Sequence, residues 1–583
     1  MRIIKIFVFV WTLIGMVLAS VEVFAQPEPS QTAGGVIKRE SDFQQQDNYG
    51  RRIQRWPSKE KEEAPAAEEE RSEMTSAAKV VVREVKVEGA ELISQEDIDQ
   101  TLASQFTPGE EMTFNQMQRL AGEITALYRQ KGFVTSRAYL PPQSLDGGVL
   151  FIKVIEGRMG QYTISGNKYF TTEQLNKKFT LKSGAAFDYS DLQRSLEYIN
   201  EHPDRQARVV LVPGEEPGTT DVDVKIQDQP PVHATLEYDN WASRYLNKDR
   251  YAVTLEHNNL TKHDDRLSIK FLTSEGNNLL LAQGRYIYPL SNTLEVGAQF
   301  LTSKTELGRE FEVLEAHGSA DVIGVFATQE LVNTIDFNLN LNLGFDHKNV
   351  KNYLLGVESS SDRVRVARIG FDADYDDRWG RSIANLEWDF GIPGIFEGME
   401  DHNDPSASRA GAGGEFNKGI FNFFRLQPLP SSWKYLNETY FLWKNLAQYS
   451  DDVLVASEQF QIGGPTSVRG YAPGEASGDS GIYSALEWSL PFYGLSREAK
   501  IPGREETWYD SLKWVLFYDW GWVDFENPQP GERNQETLRG YGAGVRLNIA
   551  RDIAVRIEVG WPDGRKSEDS RRAHTWVEVD WKF

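Results

Sequence analysis

The amino-acid sequence predicts a transmembrane antiparallel β-barrel preceded by two small α+β modules, and three observations predict it. Beyond the N-terminus no run reaches the roughly 18 apolar residues that a membrane-spanning helix needs. From Gln229-Pro230-Pro231 to the last residue the chain runs in short segments of alternating polarity divided by polar turns. Period 2 sends one residue set toward lipid and the other toward a lumen. Between residues 79 and 230 a β-α-α-β-β order occurs twice.

The elements follow in chain order. Residues 1–25 carry Arg2 and Lys5, the apolar stretch Ile6 to Leu18, and Val23-Phe24-Ala25 before Gln26. This pattern predicts a secretory signal peptide and a mature chain that begins near Gln26, outside the cytoplasm. In residues 26–56 the stretch Val36 to Trp56 is rich in Arg, Gln and Glu without a continuous apolar face. Such a segment is either disordered or a helix in a wet environment, such as a water-filled lumen. Residues 57–78 include Ser58-Lys59-Glu60-Lys61-Glu62-Glu63-Ala64-Pro65 and read as a flexible linker.

The repeat begins at Val85-Lys86-Val87-Glu88-Gly89 and again at Tyr162-Thr163-Ile164-Ser165-Gly166. In the first copy, helices are predicted over Ser94 to Leu102 and Phe114 to Arg129, then strands over Val134 to Leu140 and Val149 to Ile155. In the second, the helices are Thr172 to Phe179 and Tyr189 to Ile199, and the strands Ala207 to Val212 and Asp221 to Ile226. Gly109 and Gly184 take equivalent places before the second helix of each copy. The two copies, 79–158 and 159–230, resemble polypeptide-transport-associated (POTRA) domains. Such a module exposes a strand edge that pairs with extended chain through its backbone. Val134, Ser136, Ala138 and Leu140 mark the candidate client-binding edge, which read without the resemblance is simply a sheet member.

Residues 231–583 carry the barrel pattern. In the last strand Val577, Val579, Trp581 and Phe583 share one face, and Trp576, Glu578, Asp580 and Lys582 the other. Ala543, Val545, Leu547 and Ile549 alternate with Gly542, Gly544, Arg546 and Asn548, and Ile553, Val555, Ile557 and Val559 with Arg556 and Glu558. The 15 Trp and 23 Tyr supply material for interfacial girdles.

Composition narrows the chemistry. The net charge of -23 argues against a nucleic-acid surface. The absence of Cys excludes disulfides, thiolate metal sites and Cys nucleophiles. The 8 His show no metal-ligand spacing, and no Gly-x-Ser-x-Gly elbow or phosphate-binding Gly loop is present. Asp372-Ala373-Asp374-Tyr375-Asp376-Asp377 opens like a calcium loop, but Ile383 stands where the closing Glu belongs. The reading is therefore a protein that is not an enzyme, with no catalytic residues, metal or cofactor.

The most specific signal is Gly463-Gly464-Pro465-Thr466-Ser467-Val468-Arg469-Gly470-Tyr471, followed about one strand pair later by Phe517-Tyr518-Asp519-Trp520-Gly521. An arginine set among glycines can fold into a confined space, yet burying its charge is costly unless a carboxylate meets it in bidentate geometry. Alternation puts Lys513, Val515, Phe517, Asp519 and Gly521 on the lumen face, so Asp519 is the candidate partner of Arg469. Arg539-Gly540-Tyr541 lacks the Gly-Gly-Pro-Thr-Ser lead and reads as strand.

Val468, Arg469, Gly470 and Tyr471 with Phe517, Asp519 and Gly521 resemble the Val-Arg-Gly-Tyr/Phe loop and Phe-x-Asp-x-Gly strand of polypeptide-transporting outer-membrane barrels. In particular they are similar to the two-partner secretion transporters that export filamentous haemagglutinins and haemolysins. The resemblance implies a barrel of 16 strands, for which residues 232–583 allow about 22 residues per strand and connection. It implies that the Arg469 loop lies between strands 11 and 12 with its tip in the lumen, and that residues 26–56 form a plug helix there. It further implies an outer-membrane location with the POTRA modules in the periplasm. The implied partners are an unfolded secreted protein, a large haemolysin- or adhesin-like exoprotein, and outer-membrane lipid, with no nucleic acid. The alternative within the same superfamily is an assembly insertase that inserts other barrels.

Overall fold

Two modules of one topology precede the barrel in the computed structural model. It describes residues 29–54 and 79–583, apart from 335, 431, 433–435, 437, 530–531 and 550–551. The expected signal peptide (1–25) and linker (57–78) lie outside the described residues.

In the first module α2 (Gln95–Ala103) starts where the Ser94 hydroxyl accepts from the Asp97 N–H, and α3 (Phe114–Gln130) starts at a capping box between Thr113 and Gln116. These caps satisfy N–H groups that the first helical turn leaves without partners. The strand Val149–Ile155 is central, parallel to Glu84–Glu88 and antiparallel to Arg137–Tyr139. Ile98, Leu120, Ile124, Leu150 and Ile152 form the core between helices and sheet. An additional pair, Lys79–Val82 with Glu110–Thr113, was not expected from the sequence.

The second module repeats the plan. Its helices are α4 (Thr172–Asn176) and α5 (Tyr189–Asn200), and its central strand Thr219–Asp228 is flanked by Arg158–Ser165 (parallel) and Arg205–Pro213 (antiparallel). Gly109 and Gly184 both have φ in the left-handed region, at 89° and 81°. A side chain there would be strained, which explains why glycine recurs in step.

Sixteen antiparallel strands then close a barrel, and the last, His574–Lys582, pairs with the first, Val232–Asp239. In the final strand Trp576 is buried, and Trp581 and Phe583 are exposed on the outer face. Three consecutive strands, His317–Asn333, Phe337–Leu354 and Val357–Asp377, have 17, 18 and 21 residues. About 10 residues suffice to cross a bilayer, so this side of the wall rises above the apolar band. Val232 opens the first strand, so the turns that join even to odd strands lie at its end of the barrel and the loops that join odd to even strands at the other.

The helix α1 (Ala33–Gln54, 22 residues) lies in the lumen. At about 1.5 Å per residue it is about 33 Å long, enough to run through the barrel. Trp56, part of the segment expected to be helical, lies outside the described residues.

Candidate functional site

The connection between the Tyr440–Tyr449 and Ser480–Pro491 strands, the eleventh and twelfth of the barrel, folds back into the lumen. Its stem is a short antiparallel pair, Phe460–Ile462 with Ala476–Gly478. Gly463 and Gly464 reverse the chain with φ of 104° and 102°, and a Cβ on Gly463 would stand 2.5 Å from the Ala472 carbonyl oxygen. Val468 packs with Ile462, Tyr483 and Leu538, and the buried Tyr471 donates its hydroxyl to the Arg565 carbonyl at 3.1 Å.

At the tip the structure brings Arg469 and Asp519 together. Arg469 Nε donates to Asp519 Oδ2 at 2.8 Å and Nη2 to Oδ1 at 2.6 Å, while the Arg469 backbone N–H also reaches Oδ2 at 3.0 Å. The two residues are 1% and 0% exposed. The guanidinium carbon sits 3.4 Å from the centroid of Phe517, and Trp576 Nε1 donates to the Arg469 carbonyl at 2.8 Å. This arrangement suits arginine because its planar fork can stack and make bidentate bonds at once.

The pair belongs to a larger cluster that the motifs did not disclose. Arg469 Nη1 also contacts Glu487 at 2.8 Å and Glu558 at 3.1 Å. Arg546 bridges the same two glutamates at 2.9 and 2.5 Å, Lys444 reaches Glu487 at 2.9 Å, and Arg556 reaches Glu558 at 2.9 Å. Buried charges persist only when paired and hydrogen-bonded, and here each carboxylate touches at least one cation. Alternation along the strands does signal that Arg546, Arg556 and Glu558 face inward. Which residues meet across the lumen depends on register and depth, which alternation does not fix.

The wall is cut away to receive the loop. A Cβ on Gly560 would lie 2.4 Å from the Arg469 carbonyl oxygen, one on Gly521 2.9 Å from Val468 Cγ2, and one on Gly540 3.2 Å from the Gly470 nitrogen. Gly540, inside Arg539-Gly540-Tyr541, is a strand residue that makes room for the loop.

The helix α1 is held by side chains from around the ring. Glu40 meets Arg250 at 3.1 Å and Lys270 at 3.8 Å, Tyr49 donates to Asp372 at 3.1 Å, and Arg52 pairs with Asp374 at 2.8 Å. Gln283 donates to Gln44 at 2.7 Å, and Val36, Ile37 and Ile53 fill the apolar gaps. The N-terminal end touches the inward loop directly: Gln461 donates to the Gly35 carbonyl at 3.2 Å, and Gln31 donates to that of Pro473 at 3.4 Å.

The candidate client-binding edge takes a different form from the expected strand. Only Arg137–Tyr139 is strand. Val134 packs against the second module's core, and Ser136 is buried with its hydroxyl accepting from the Gly157 N–H at 2.9 Å. The Ala138 N–H, which faces away from the sheet, donates to Thr125 Oγ1 at 2.9 Å, and Leu140 packs against the first core. In the second module the edge strand Arg205–Pro213 is longer, with Val210 and Val212 exposed.

A closed barrel whose lumen holds a helix and an ion-paired loop, following two α+β modules of one topology, has the architecture of an outer-membrane polypeptide transporter. The chain belongs to the family described as haemolysin secretion/activation protein ShlB/FhaC/HecB, whose model matches residues 218–547. A ShlB-type POTRA model matches residues 80–157, and a POTRA model described as surface antigen variable number repeat matches 158–229. The heme/hemopexin transporter protein HuxB of Haemophilus influenzae is 24% identical over 81% of each chain. The outer membrane transporter CdiB of Dickeya dadantii is 25% identical over 82% of each. The structure of CdiB from Escherichia coli shares the fold with a TM-score of 0.74 at 21% identity, covering 96% of this chain and 100% of that one. This chain is accordingly a two-partner secretion transporter of the outer membrane, with POTRA modules in the periplasm and a pore that carries a secreted partner protein.

Proposed function

We propose that the partner is a large exoprotein of the haemolysin or adhesin kind, which arrives unfolded, is captured by the POTRA modules, and crosses the barrel as α1 leaves the lumen. The names of the heme/hemopexin and hemolysin transporters among its relatives support a protein cargo. Capture is assigned to the Arg205–Pro213 edge. There the Ala207 N–H and carbonyl, which face outward, are engaged by Asn200, and the outward groups continue at Val209 and Leu211. Outer-membrane lipid surrounds the barrel, nucleic acid has no part, and the chain itself carries out no catalysis.

The observation that carries this reading is that the lumen is filled, and filled largely by polar contacts that water can replace as they break. Removing residues 29–54 raises the single-channel conductance of the purified barrel in planar bilayers. An unchanged conductance would sink the assignment of α1 as the plug.

A further inference from the structure

The three long strands allow the outer wall to be read row by row. Across neighbouring strands, Ala298, Val325, Phe345 and Ala367 share one outward row, and Phe300, Ile323, His347 and Arg365 the next one up. Above them come Thr302, Asp321, Asn349 and Arg363, then Lys304, Ser319, Lys351 and Ser361. Below the change, the outward residues Phe337, Leu339, Leu341, Leu343 and Phe345 occupy about 27 Å of strand. Tilt reduces that to about 20 Å, close to the roughly 25 Å apolar band of such barrels. The cations therefore start where acyl chains give way to headgroups.

Four cationic side chains, Lys304, Lys351, Arg363 and Arg365, and the imidazole of His347 stand in these rows. Among the described residues only Lys351 has an ion-pair partner, Glu358 at 3.7 Å. Asp321 is occupied by the Thr302 hydroxyl at 2.7 Å, and Glu397 and Asp404 act from farther away. Arg365 is fixed by carbonyls: Nη2 donates to Phe396 O at 2.8 Å and Nη1 to Lys348 O at 2.9 Å. Nη1 also donates to Asn349 Oδ1 at 3.1 Å, and the Asn349 amide lies 3.2 Å from His347 Nε2. Arg363 Nε is buried without a hydrogen-bond partner. Beside them Phe396 is 68% exposed, with φ of 46° and its ring centroid 6.1 Å from that of the outward-facing Phe345. A large ring held outward on a left-handed backbone is unfavourable in water and favourable among acyl chains.

We propose that this rim binds the phosphate groups of an outer-leaflet lipid headgroup, with Lys304, His347, Lys351 and Arg363 meeting phosphate oxygens and Phe396 entering the acyl layer. The inference rests on the outer-membrane location and adds a lipid site on the outer wall, apart from the lumen.

The test uses the full chain in detergent with a diphosphorylated lipid A as the probe, its dephosphorylated form as a control, and native mass spectrometry to read retention. The wild type retains the phosphorylated lipid. The combined Lys304→Gln, His347→Gln, Lys351→Gln and Arg363→Gln variant retains it about ten-fold or more weakly, while Lys500→Gln in a periplasmic turn changes nothing. Phe396→Ser, which leaves every charge in place, also weakens retention, so the test survives if the combined variant does not fold. Equal retention of the dephosphorylated lipid, or undiminished retention by both variants, overturns the proposal. Displacement of the lipid by inorganic phosphate at matched concentration would reassign the rim to a free anion and overturn it as well.

Discussion

Arg469 serves three carboxylates at once, and this makes its substitution unequal to that of any one partner. Arg469→Ala leaves Asp519, Glu487 and Glu558 buried with a cation removed, a loss on the order of 2–5 kcal/mol. Asp519→Ala leaves the guanidinium two glutamates and should cost less. Urea midpoints of the folded barrel should show that order, and the double mutant should lie close to Arg469→Ala alone; fully additive losses would show that the two side chains are not coupled. The pairing with Asp519 was readable because alternation placed the aspartate inward and the glycines allowed the loop to enter. Glu487 and Glu558 were not readable as partners, since they come from strands whose register with the loop exists only in the closed barrel.

At the scale of the element, the module helices lie within a few residues of the expected spans because caps and apolar spacing are local signals. The strand expected over Val134 to Leu140 shrinks to Arg137–Tyr139 because Val134 and Ser136 are drawn into tertiary contacts that no local pattern announces. The Arg205–Pro213 edge yields a prediction about capture. Val209→Pro removes an outward N–H at an edge position, where proline is tolerated, so the module should keep its fold and secretion of the partner should fall sharply. Undiminished secretion would move recognition elsewhere. A second prediction concerns pH. Burial, helped by the Arg205 guanidinium, holds the His202 imidazole down to about 4 from an ordinary 6.5. The folded module thus keeps it neutral, while the unfolded chain takes up a proton below about 6.5. Stability from this group is complete above that value and is lost as pH falls toward about 4. Hydrogen-exchange protection factors of α5 should fall as pH drops through that window, and His202→Gln should flatten the dependence; a profile unchanged by the substitution would refute it.

For the whole molecule, alternation to the last residue made the barrel legible, and the resemblance supplied the count of 16 that the closed ring shows. The lengths of the three tall strands were hidden, because their outward faces turn from apolar to charged partway up and so resemble strand followed by loop. The cluster around Arg469 has a further consequence, for the order in which the chain becomes a barrel. Its charged members come from the loop and from the strands Tyr440–Tyr449, Ser480–Pro491, Leu512–Asp524, Gln535–Ile549 and Ile553–Pro562, with ion pairs spanning up to 89 residues of sequence. Contacts so distant in sequence form late and slowly. At the wall positions Gly521, Gly540 and Gly560 a Cβ would run into the loop, so the loop seats only against glycines there. The loop and the last strands therefore complete each other, and in Arg469 variants a secretion assay should score a ring left unclosed together with failed transport.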